Sequence, residues 1–458
     1  MSAVPKQLLS LPKVSGIKGI NNAVHSIFPV NATGNTEFKY DGNSTISFMI
    51  PAYSRGFFNP QRSFIHFKAT TTNGWLTDGV PVINRMVLRS GNGAVLEDIQ
   101  GYSTIQRCLS NFESVCAKHS ACNYTGDFSV NRFIDGDMNA DDFKEIYTNG
   151  TTVQHQLLSG LLGKAQQHYL PVGLFNASGG FSLELQLYLE DPLIACVRDN
   201  AAAAGSNPTY TLTDVSLQME IVSMPAQLTD RLDAELYNNS KVSIPFSTYR
   251  LHQSYIPSGS QSVELSISES AHDLEAIYTC IRNQNLGTYR GADSTDTDFL
   301  DNLSFLGGHG DRTKDKSDGT YADTAVETYQ FRYDTDYYPA KRAEMALKDN
   351  KLALLNALHT LDMVNADCYA GTMIKDSTSL WDSGGTFCIV QSFKSSRDDY
   401  LNSLNSSSTG APLELSLSLK KAAAQALRVE HFVKSNYTLN IMKGGQTTLI
   451  NGTIRNDS

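Results

Sequence analysis

Apolar and polar residues alternate along several segments of this chain, and a period of two predicts β-strands rather than helices. The clearest run is Phe-Ser-Leu-Glu-Leu-Gln-Leu-Tyr-Leu at residues 181–189, in which Ser182, Glu184 and Gln186 separate the apolar positions. Similar alternation recurs around residues 46–50, 215–221, 242–246, 263–267, 413–419 and 437–441. The chain is therefore predicted to be an all-β protein with a few short helices.

Three segments have helical spacing instead. Residues 96–112 follow a strand that contains Met86 and Leu88, and their apolar residues recur every three or four positions, at Ile99, Tyr102, Ile105, Leu109 and Phe112. A second helix is predicted over residues 340–361, with Pro339 suited to its first turn. A shorter helix is predicted over residues 226–237.

The strand signals of the first half return in the same order in the second half. The corresponding runs are those at Ile46 and Val263, at Phe181 and Leu413, and at Val215 and Tyr437. A chain of 458 residues also exceeds the size at which one hydrophobic core usually stops growing. We predict an N-terminal arm over 1–36, a first sandwich over 37–225, a linker helix over 226–240, a second sandwich over 241–445 and a C-terminal tail over 446–458.

Composition favours a protein with extensive interfaces. Charged residues make up 18% of the chain, below the roughly 25% usual for soluble domains. The net charge of −10 argues against a protein whose main surface binds phosphate backbones. The arm is the exception, because it contains Lys6, Lys13 and Lys18 and no acidic residue, the first in the chain being Glu37. This charge pattern predicts a weakly basic N-terminal segment.

No stretch of the sequence resembles a secretion signal, and none approaches the ~18 apolar residues that a membrane span requires, so no transmembrane segment is expected. Seven cysteines follow no regular framework, at Cys108, Cys116, Cys122, Cys196, Cys280, Cys368 and Cys388. Free thiols of a protein made in a reducing compartment are the simplest interpretation.

Two segments begin like known binding loops and then depart from them. Gly163-Lys164 resembles the end of a phosphate-binding loop, but Leu158 stands where the first glycine belongs and Ala165 replaces the Mg²⁺-binding Ser or Thr. Residues 135–142 place oxygen ligands as a calcium loop does, but Ala140 replaces the turn glycine and Ile146 replaces the bidentate glutamate.

Other candidate sites are weaker still. Residues 307–319 form a polar, Gly-rich segment without recognised ligand spacing, and His119, three residues before Cys122, lacks a second ligand pair. Eleven Asn-x-Ser/Thr sequons, expected to be chance matches without a secretion signal, start at Asn31, Asn43, Asn123, Asn149, Asn176, Asn238, Asn302, Asn405, Asn436, Asn451 and Asn456. No Gly-x-Ser-x-Gly, His-Glu-x-x-His or Gly-x-Gly-x-x-Gly motif occurs. We predict no catalytic, cofactor-binding or metal-binding residue, no cofactor and no enzymatic activity.

Five segments, taken in order, resemble one protein family. They are Ile-Asn-Arg-Met-Val-Leu-Arg-Ser-Gly-Asn-Gly-Ala-Val-Leu-Glu-Asp-Ile-Gln-Gly-Tyr at 83–102 and the segments 155–172, 210–222, 385–393 and 437–445. Their succession is similar to the double jelly-roll major capsid proteins of tailless icosahedral double-stranded DNA viruses, which include polinton-like viruses and virophages. The resemblance covers about residues 40–445.

This resemblance implies two tandem eight-stranded jelly-roll β-sandwiches and a structural function. It implies a homotrimer that forms a pseudo-hexagonal capsomer, contacts neighbouring capsomers, and tiles an icosahedral shell around a double-stranded DNA genome. The arm is then expected to bind neighbouring capsomers, penton proteins or minor capsid proteins, without specific nucleic-acid recognition. The location implied is the virion, with synthesis inside the infected cell.

Two other functions remain open from the sequence. A carbohydrate-binding or carbohydrate-active β-sandwich protein could share the acidic balance, the long loops and the 21 tyrosines, and would be a monomer with a cleft. A minor capsid or spike protein would contain one jelly roll rather than two.

Overall fold

The computed structural model describes residues 21–31, 36–53, 56–76, 81–110, 149–163, 166, 168–175, 181–198, 206–223, 229–230, 234, 241–284, 305–307, 325–344, 387–394, 403–407, 411–423 and 425–452. The described residues are mostly in antiparallel strands, with two short helices, α1 (Tyr102–Ser110) and α2 (Pro192–Ala195). The prediction of an all-β fold with a few short helices is confirmed.

The described part of the first half forms ten strands. They are β1 (Asn21–Ile27), β2 (Thr45–Pro51), β3 (Gly56–Thr72), β4 (Gly74–Leu76), β5 (Ile83–Ser90), β6 (Val95–Gln100), β7 (Thr151–His155), β8 (Phe181–Leu189), β9 (Cys196–Arg198) and β10 (Thr209–Ser223). Sheet I has the order β1-β10-β3-β7 and sheet II the order β2-β8-β5-β6, while β4 and β9 form a separate pair. The first half is thus a sandwich of two four-stranded sheets.

The described part of the second half forms nine strands. They are β11 (Lys241–Ile256), β12 (Ser262–Ile267), β13 (Leu274–Asn283), β14 (Val326–Tyr333), β15 (Asp336–Glu344), β16 (Ile389–Ser392), β17 (Leu413–Leu419), β18 (Leu427–Met442) and β19 (Thr447–Asn451). Sheet III has the order β11-β18-β13-β16, with β19 also on β18, and sheet IV has the order β12-β17-β14-β15.

Both halves have the same topology. When β4, β9 and β19 are set aside and the remaining strands of each half are counted from one to eight, each half has one sheet ordered 1-8-3-6 and another ordered 2-7-4-5. Successive strands therefore alternate between the two sheets of a sandwich, except for the fourth and fifth, which are neighbours in one sheet. The predicted tandem repeat is present as a repeat of topology.

Strand registers repeat as well. In sheet II the buried cross-strand pairs are Ile46↔Leu187, Phe48↔Leu185 and Ile50↔Leu183. In sheet IV the corresponding pairs are Val263↔Leu417, in which Val263 is partly buried, Leu265↔Leu415 and Ile267↔Leu413. Directly opposed apolar side chains on one face pack against each other and against the other sheet. The alternation in sequence thus determines which face of each strand points into its core.

Strands β13 and β18 of sheet III depart from this alternation because parts of the first sandwich lie against their outer face. All residues of β13 except the last are buried, and most of β18 is buried on both faces. A sheet covered on both sides has nearly continuous apolar strands. Consequently the sequence Leu-Glu-Ala-Ile-Tyr-Thr-Cys-Ile-Arg of β13 does not alternate.

Two predicted helices need correction. Residues 95–100 form strand β6 and α1 begins only at Tyr102, so Ile99 lies on a strand, where it pairs with Met86. Gly101, with a φ of 62°, provides the left-handed residue between the two elements. Residues 336–344 form β15, so the helix predicted from 340 does not begin there, and residues 345–361 lie outside the described ranges.

The structure also places strands in two segments that were assigned to the termini. Within the predicted arm, residues 21–27 pair with β10 as an edge strand of sheet I. Within the predicted tail, residues 447–451 pair with β18 in sheet III. Residues 1–20 and most of the predicted linker helix lie outside the described ranges. The remaining domain limits stay predictions.

Candidate functional site at the junction of the two sandwiches

A buried carboxylate holds the turn that joins the two sandwiches. Glu97 lies on the core side of β6 and accepts hydrogen bonds from the backbone N–H groups of Gly160 (2.8 Å) and Leu161 (3.2 Å) and from the Ser159 hydroxyl. The Ser159 oxygen in turn accepts from the N–H of Leu162 at 2.8 Å. Converging N–H groups of this kind form an anion-binding nest.

This turn is the segment whose sequence resembles a phosphate-binding loop. The group that occupies it in the structure is the protein's own Glu97 carboxylate. Burial raises the pKa of Glu97, while hydrogen bonds from Ser159, Gly160 and Leu161 oppose that shift by favouring the ionised form. A side chain of the protein itself, rather than an external anion, therefore binds the N–H groups of this turn.

The same turn contacts strand β11 of the second sandwich. A Cβ atom on Gly160 would lie 1.9 Å from the carbonyl oxygen of Ser247, so only glycine allows this approach. The Gln166 side-chain amide donates to the carbonyl oxygens of Gly160 (3.0 Å) and Pro245 (3.3 Å). Two backbones from different sandwiches are thus held together by one side chain.

Helix α1 forms a second part of the junction. A Cβ atom on Gly101, just before the helix, would lie 3.1 Å from the Phe432 ring and 3.2 Å from the Leu251 side chain. The next residue, Tyr102, is fully buried, and its hydroxyl oxygen accepts from the N–H of Leu158 at 2.7 Å. The start of α1 therefore packs on sheet III and also fixes the turn that holds Glu97.

Charged groups extend across the junction. In the second sandwich, the buried Arg282 and Glu430 form an ion pair with a nitrogen–oxygen distance of 2.6 Å. In the first, Glu190 accepts from Asn84 (2.9 Å) and Ser103 (3.0 Å). Burial raises the pKa of Glu190, and the charge of Arg282 across the junction partly offsets this. Breaking such a buried network is costly because it leaves an uncompensated charge.

Three buried thiols complete the junction. Cys280 on β13 and Cys388 lie one step beyond the register pair Thr279↔Ile389, and Cys108 on α1 interacts with both. Burial raises the pKa of Cys280 and Cys388. A thiol with a raised pKa is a poor nucleophile, so these cysteines act as packing groups. None of the four cysteines that the structure describes, these three and Cys196, forms a disulfide bond, which agrees with the prediction of thiols.

The chain matches no protein-family model and no curated protein sequence. Its structure is similar to VP54 of PBCV-1, fitted into a reconstruction of the virophage Sputnik, with a TM-score of 0.57, 13% identity, and coverage of 97% of this chain and 100% of the other. For the structure of the Sputnik virophage itself, the TM-score is 0.54 at 10% identity, over 99% and 94% of the two chains. For the Faustovirus major capsid protein, the TM-score is 0.53 at 10% identity, over 92% of this chain and 90% of the other.

The chain has the double jelly-roll fold. Each match covers more than nine-tenths of this chain and therefore includes both sandwiches. At these sequence identities the similarity establishes the fold alone. The junction described above joins the two jelly rolls of that fold.

Most sequence candidates for ligand binding fall outside the described part of this double jelly roll. These are residues 135–142, His119 with Cys122, Lys164 and residues 308–319. Among the described residues, no group of three or more His, Cys, Asp or Glu side chains is arranged to hold a metal ion. Neither described helix has the length and apolar character needed to cross a membrane.

Sequence reasoning missed the junction. Glu97 and Gly160 are 63 positions apart, and no local motif in the sequence links them. One available signal was the mostly apolar, non-alternating segment at 276–281, Ala-Ile-Tyr-Thr-Cys-Ile, which is typical of a strand covered on both faces.

Proposed function

We propose that this chain is a major capsid protein. In this function three copies form a pseudo-hexagonal capsomer, and capsomers tile an icosahedral shell that encloses a double-stranded DNA genome. The observation that carries the proposal is the presence of two sandwiches with identical strand order in one chain, held together by a buried junction. One of the structural matches described above is named as a major capsid protein, that of Faustovirus.

The repeat explains how a threefold assembly fits a hexagonal lattice. Three copies around a threefold axis present six similar sandwiches, so each capsomer offers six nearly equivalent sides to its neighbours. This requires a fixed relation between the two sandwiches of each chain. The close approach of Gly160 to Ser247 and the hydrogen bond from Gln166 to Pro245 supply such a relation through contacts between the two sandwiches.

The remaining properties follow from a structural function. The low content of charged residues suits surfaces buried against other subunits. Partners under this proposal are the other copies in the trimer, neighbouring capsomers, and penton and minor capsid proteins. The location is the capsid shell of a virion synthesised inside an infected cell, and the protein is not an enzyme.

The alternatives make different predictions. A carbohydrate-binding or carbohydrate-active protein requires a saccharide cleft, and the structural comparisons give that function no support. A minor capsid or spike protein with one jelly roll does not account for two sandwiches in one chain. Neither alternative explains why a buried junction fixes the sandwiches to each other.

Size-exclusion chromatography with light scattering tests the proposal. Three chains of 50.2 kDa give a particle of about 150 kDa, and negative-stain images of it should show six densities in a hexagonal outline. A monomer across micromolar concentrations, or a particle without threefold symmetry, would reject the proposal. A saccharide array on the same sample tests the carbohydrate alternative.

The basic N-terminal segment is proposed to act outside the trimer. Because β1 begins at Asn21, a deletion confined to residues 2–20 spares sheet I. We expect this variant to form normal trimers and to assemble few shells. Normal particle yield would contradict the tethering function, whereas loss of trimers would show that the segment acts within the capsomer.

A further inference from the structure

Three apolar side chains lie exposed within a short stretch at the start of the first sandwich. Val24, Phe28 and Val30 are 63%, 68% and 57% exposed, more than any other large apolar side chain among the described residues. They belong to residues 21–31, which we call the β1 strip. Clustered exposed apolar side chains are typical of surfaces that another molecule covers.

The strip also offers an open strand edge. Among the described strands, β1 pairs only with β10, so its other edge carries backbone N–H and C=O groups available to a further extended segment. The polar side chains beside Val24 are already engaged within sheet I, since Asn22 donates to Glu220 at 3.1 Å and Ser26 to Gln218 at 2.7 Å. The strip therefore presents apolar side chains and backbone groups to a partner, because Asn22 and Ser26 already form hydrogen bonds within sheet I.

Charge indicates which partner fits. The β1 strip contains no Asp, Glu, Lys or Arg, in a chain whose net charge is −10. Two copies of an acidic chain repel each other, so contacts between copies are favoured where the surface carries no charge. Nucleic acid and anionic lipid headgroups require basic residues instead. The unpaired edge of a strand is also a template on which an extended segment of another protein chain can pair.

We infer that the β1 strip is covered by a second copy of this chain within the trimeric capsomer. This inference rests on the proposed function and specifies one of its contacts. Phe28 and Val30 provide the apolar part of the contact, and the free edge of β1 provides its backbone part.

The double variant Phe28→Ser, Val30→Ser tests the contact, with Val95→Ser as the matched control. Val95 is 47% exposed on β6 and lies outside the strip. We expect the double variant to keep the wild-type melting behaviour of the monomer and to raise the trimer dissociation constant at least about tenfold, since apolar burial is lost at each interface. The control should leave that constant unchanged. A double variant that trimerises like wild type would overturn the inference.

Photo-crosslinking identifies what covers the strip. With benzoylphenylalanine in place of Phe28, irradiation of purified trimers should give a product of twice the chain mass, with the adduct mapped to a peptide of this chain by mass spectrometry. Adducts confined to one chain, or formed with lipid or another protein in particles, would overturn the inference. A wild-type chain that never trimerises refutes the proposed function itself, whereas trimers insensitive to both changes refute only this contact.

Discussion

Replacing Glu97 with glutamine tests whether the buried carboxylate holds the junction together. Its oxygen Oε1 accepts from Gly160, and Oε2 accepts from Leu161 and Ser159. A glutamine of nearly the same volume keeps only one acceptor oxygen. Whichever way its amide turns, at least one of these donors faces an NH₂ group and loses its partner. Leaving one buried donor unsatisfied costs about 1–3 kcal/mol.

The assay is calorimetric unfolding of the purified chain, compared with a surface control. Glu37→Gln removes a half-exposed carboxylate that pairs with Lys39, and exposed pairs of this kind contribute less than about 1 kcal/mol. We expect Glu97→Gln to lower the melting temperature by several degrees more than the control. Loss of the junction should also separate the unfolding of the two sandwiches into distinct transitions.

The pH dependence provides an independent check. Because burial raises the pKa of Glu97 in the folded protein, its contribution to stability is fully present below the unfolded pKa and is lost as the pH rises through the folded value. Glutamine does not titrate. The stability difference between wild type and variant should therefore be largest in acid and should shrink towards neutral pH.

Three outcomes would refute this reasoning about Glu97. One is a variant as stable as wild type, which would show that the nest does not depend on the carboxylate. Another is a difference that grows as the pH rises, which would mean that the folded state lowers the pKa of Glu97. The third is an equal fall in melting temperature for Glu37→Gln, which would show that burial of Glu97 adds nothing to the loss of stability.

The remaining predictions concern close approach, buried charge and acid stability. Gly160→Ala should destabilise the chain by about 3 kcal/mol or more, as overpacking against backbone does, whereas Gly42→Ala, with open space around its Cβ position, should change the melting temperature little. Arg282→Met removes one of two arginines that pair with the buried Glu430, the other being the less buried Arg428 at 2.8 Å, and should cost about 3 kcal/mol. Adding Glu430→Gln should recover part of that loss in a double-mutant cycle, because the buried carboxylate charge is then removed. Burial would raise the pKa of Glu275, but two neighbouring lysines lower it, so its stabilisation is present above the unfolded pKa and is lost as the pH falls through the folded value. Glu275→Gln should thus be destabilising near neutral pH and nearly neutral in strong acid, measured by urea titration; an unchanged difference across pH would contradict this.

The strands with one buried face could be predicted because the alternation of apolar and polar residues is a local feature of the sequence. The runs at Ile46 and Val263 were matched by alternation alone, and they occupy equivalent strands with equivalent cross-strand partners. A period of two survives in these strands because one face is buried and the other is not. In such strands the sequence alone indicates which side chains point into the core.

Other strands could not be recognised in the same way. Strand β13 is buried on both faces, so it has no alternation to detect. In residues 95–110, apolar spacing of three and four continues across a strand, a left-handed glycine and a helix, and the spacing alone suggested one helix. Burial by distant segments, rather than local preference, decides the outcome at such places.

The sequence by itself determined the all-β class, the repeated order of strands, the free cysteines among the described residues and the acidic, weakly charged character of the chain. Only the tertiary structure decided that the loop resembling a phosphate site binds Glu97, that Gly160 lies against Ser247, and that β1 and β19 belong to sheets. The physical reason is that alternation reports which side of a segment is apolar, whereas a junction depends on residues brought together from distant positions. Hydrogen bonds such as that between Gly160 and Glu97 join residues 63 positions apart, and no local pattern encodes them.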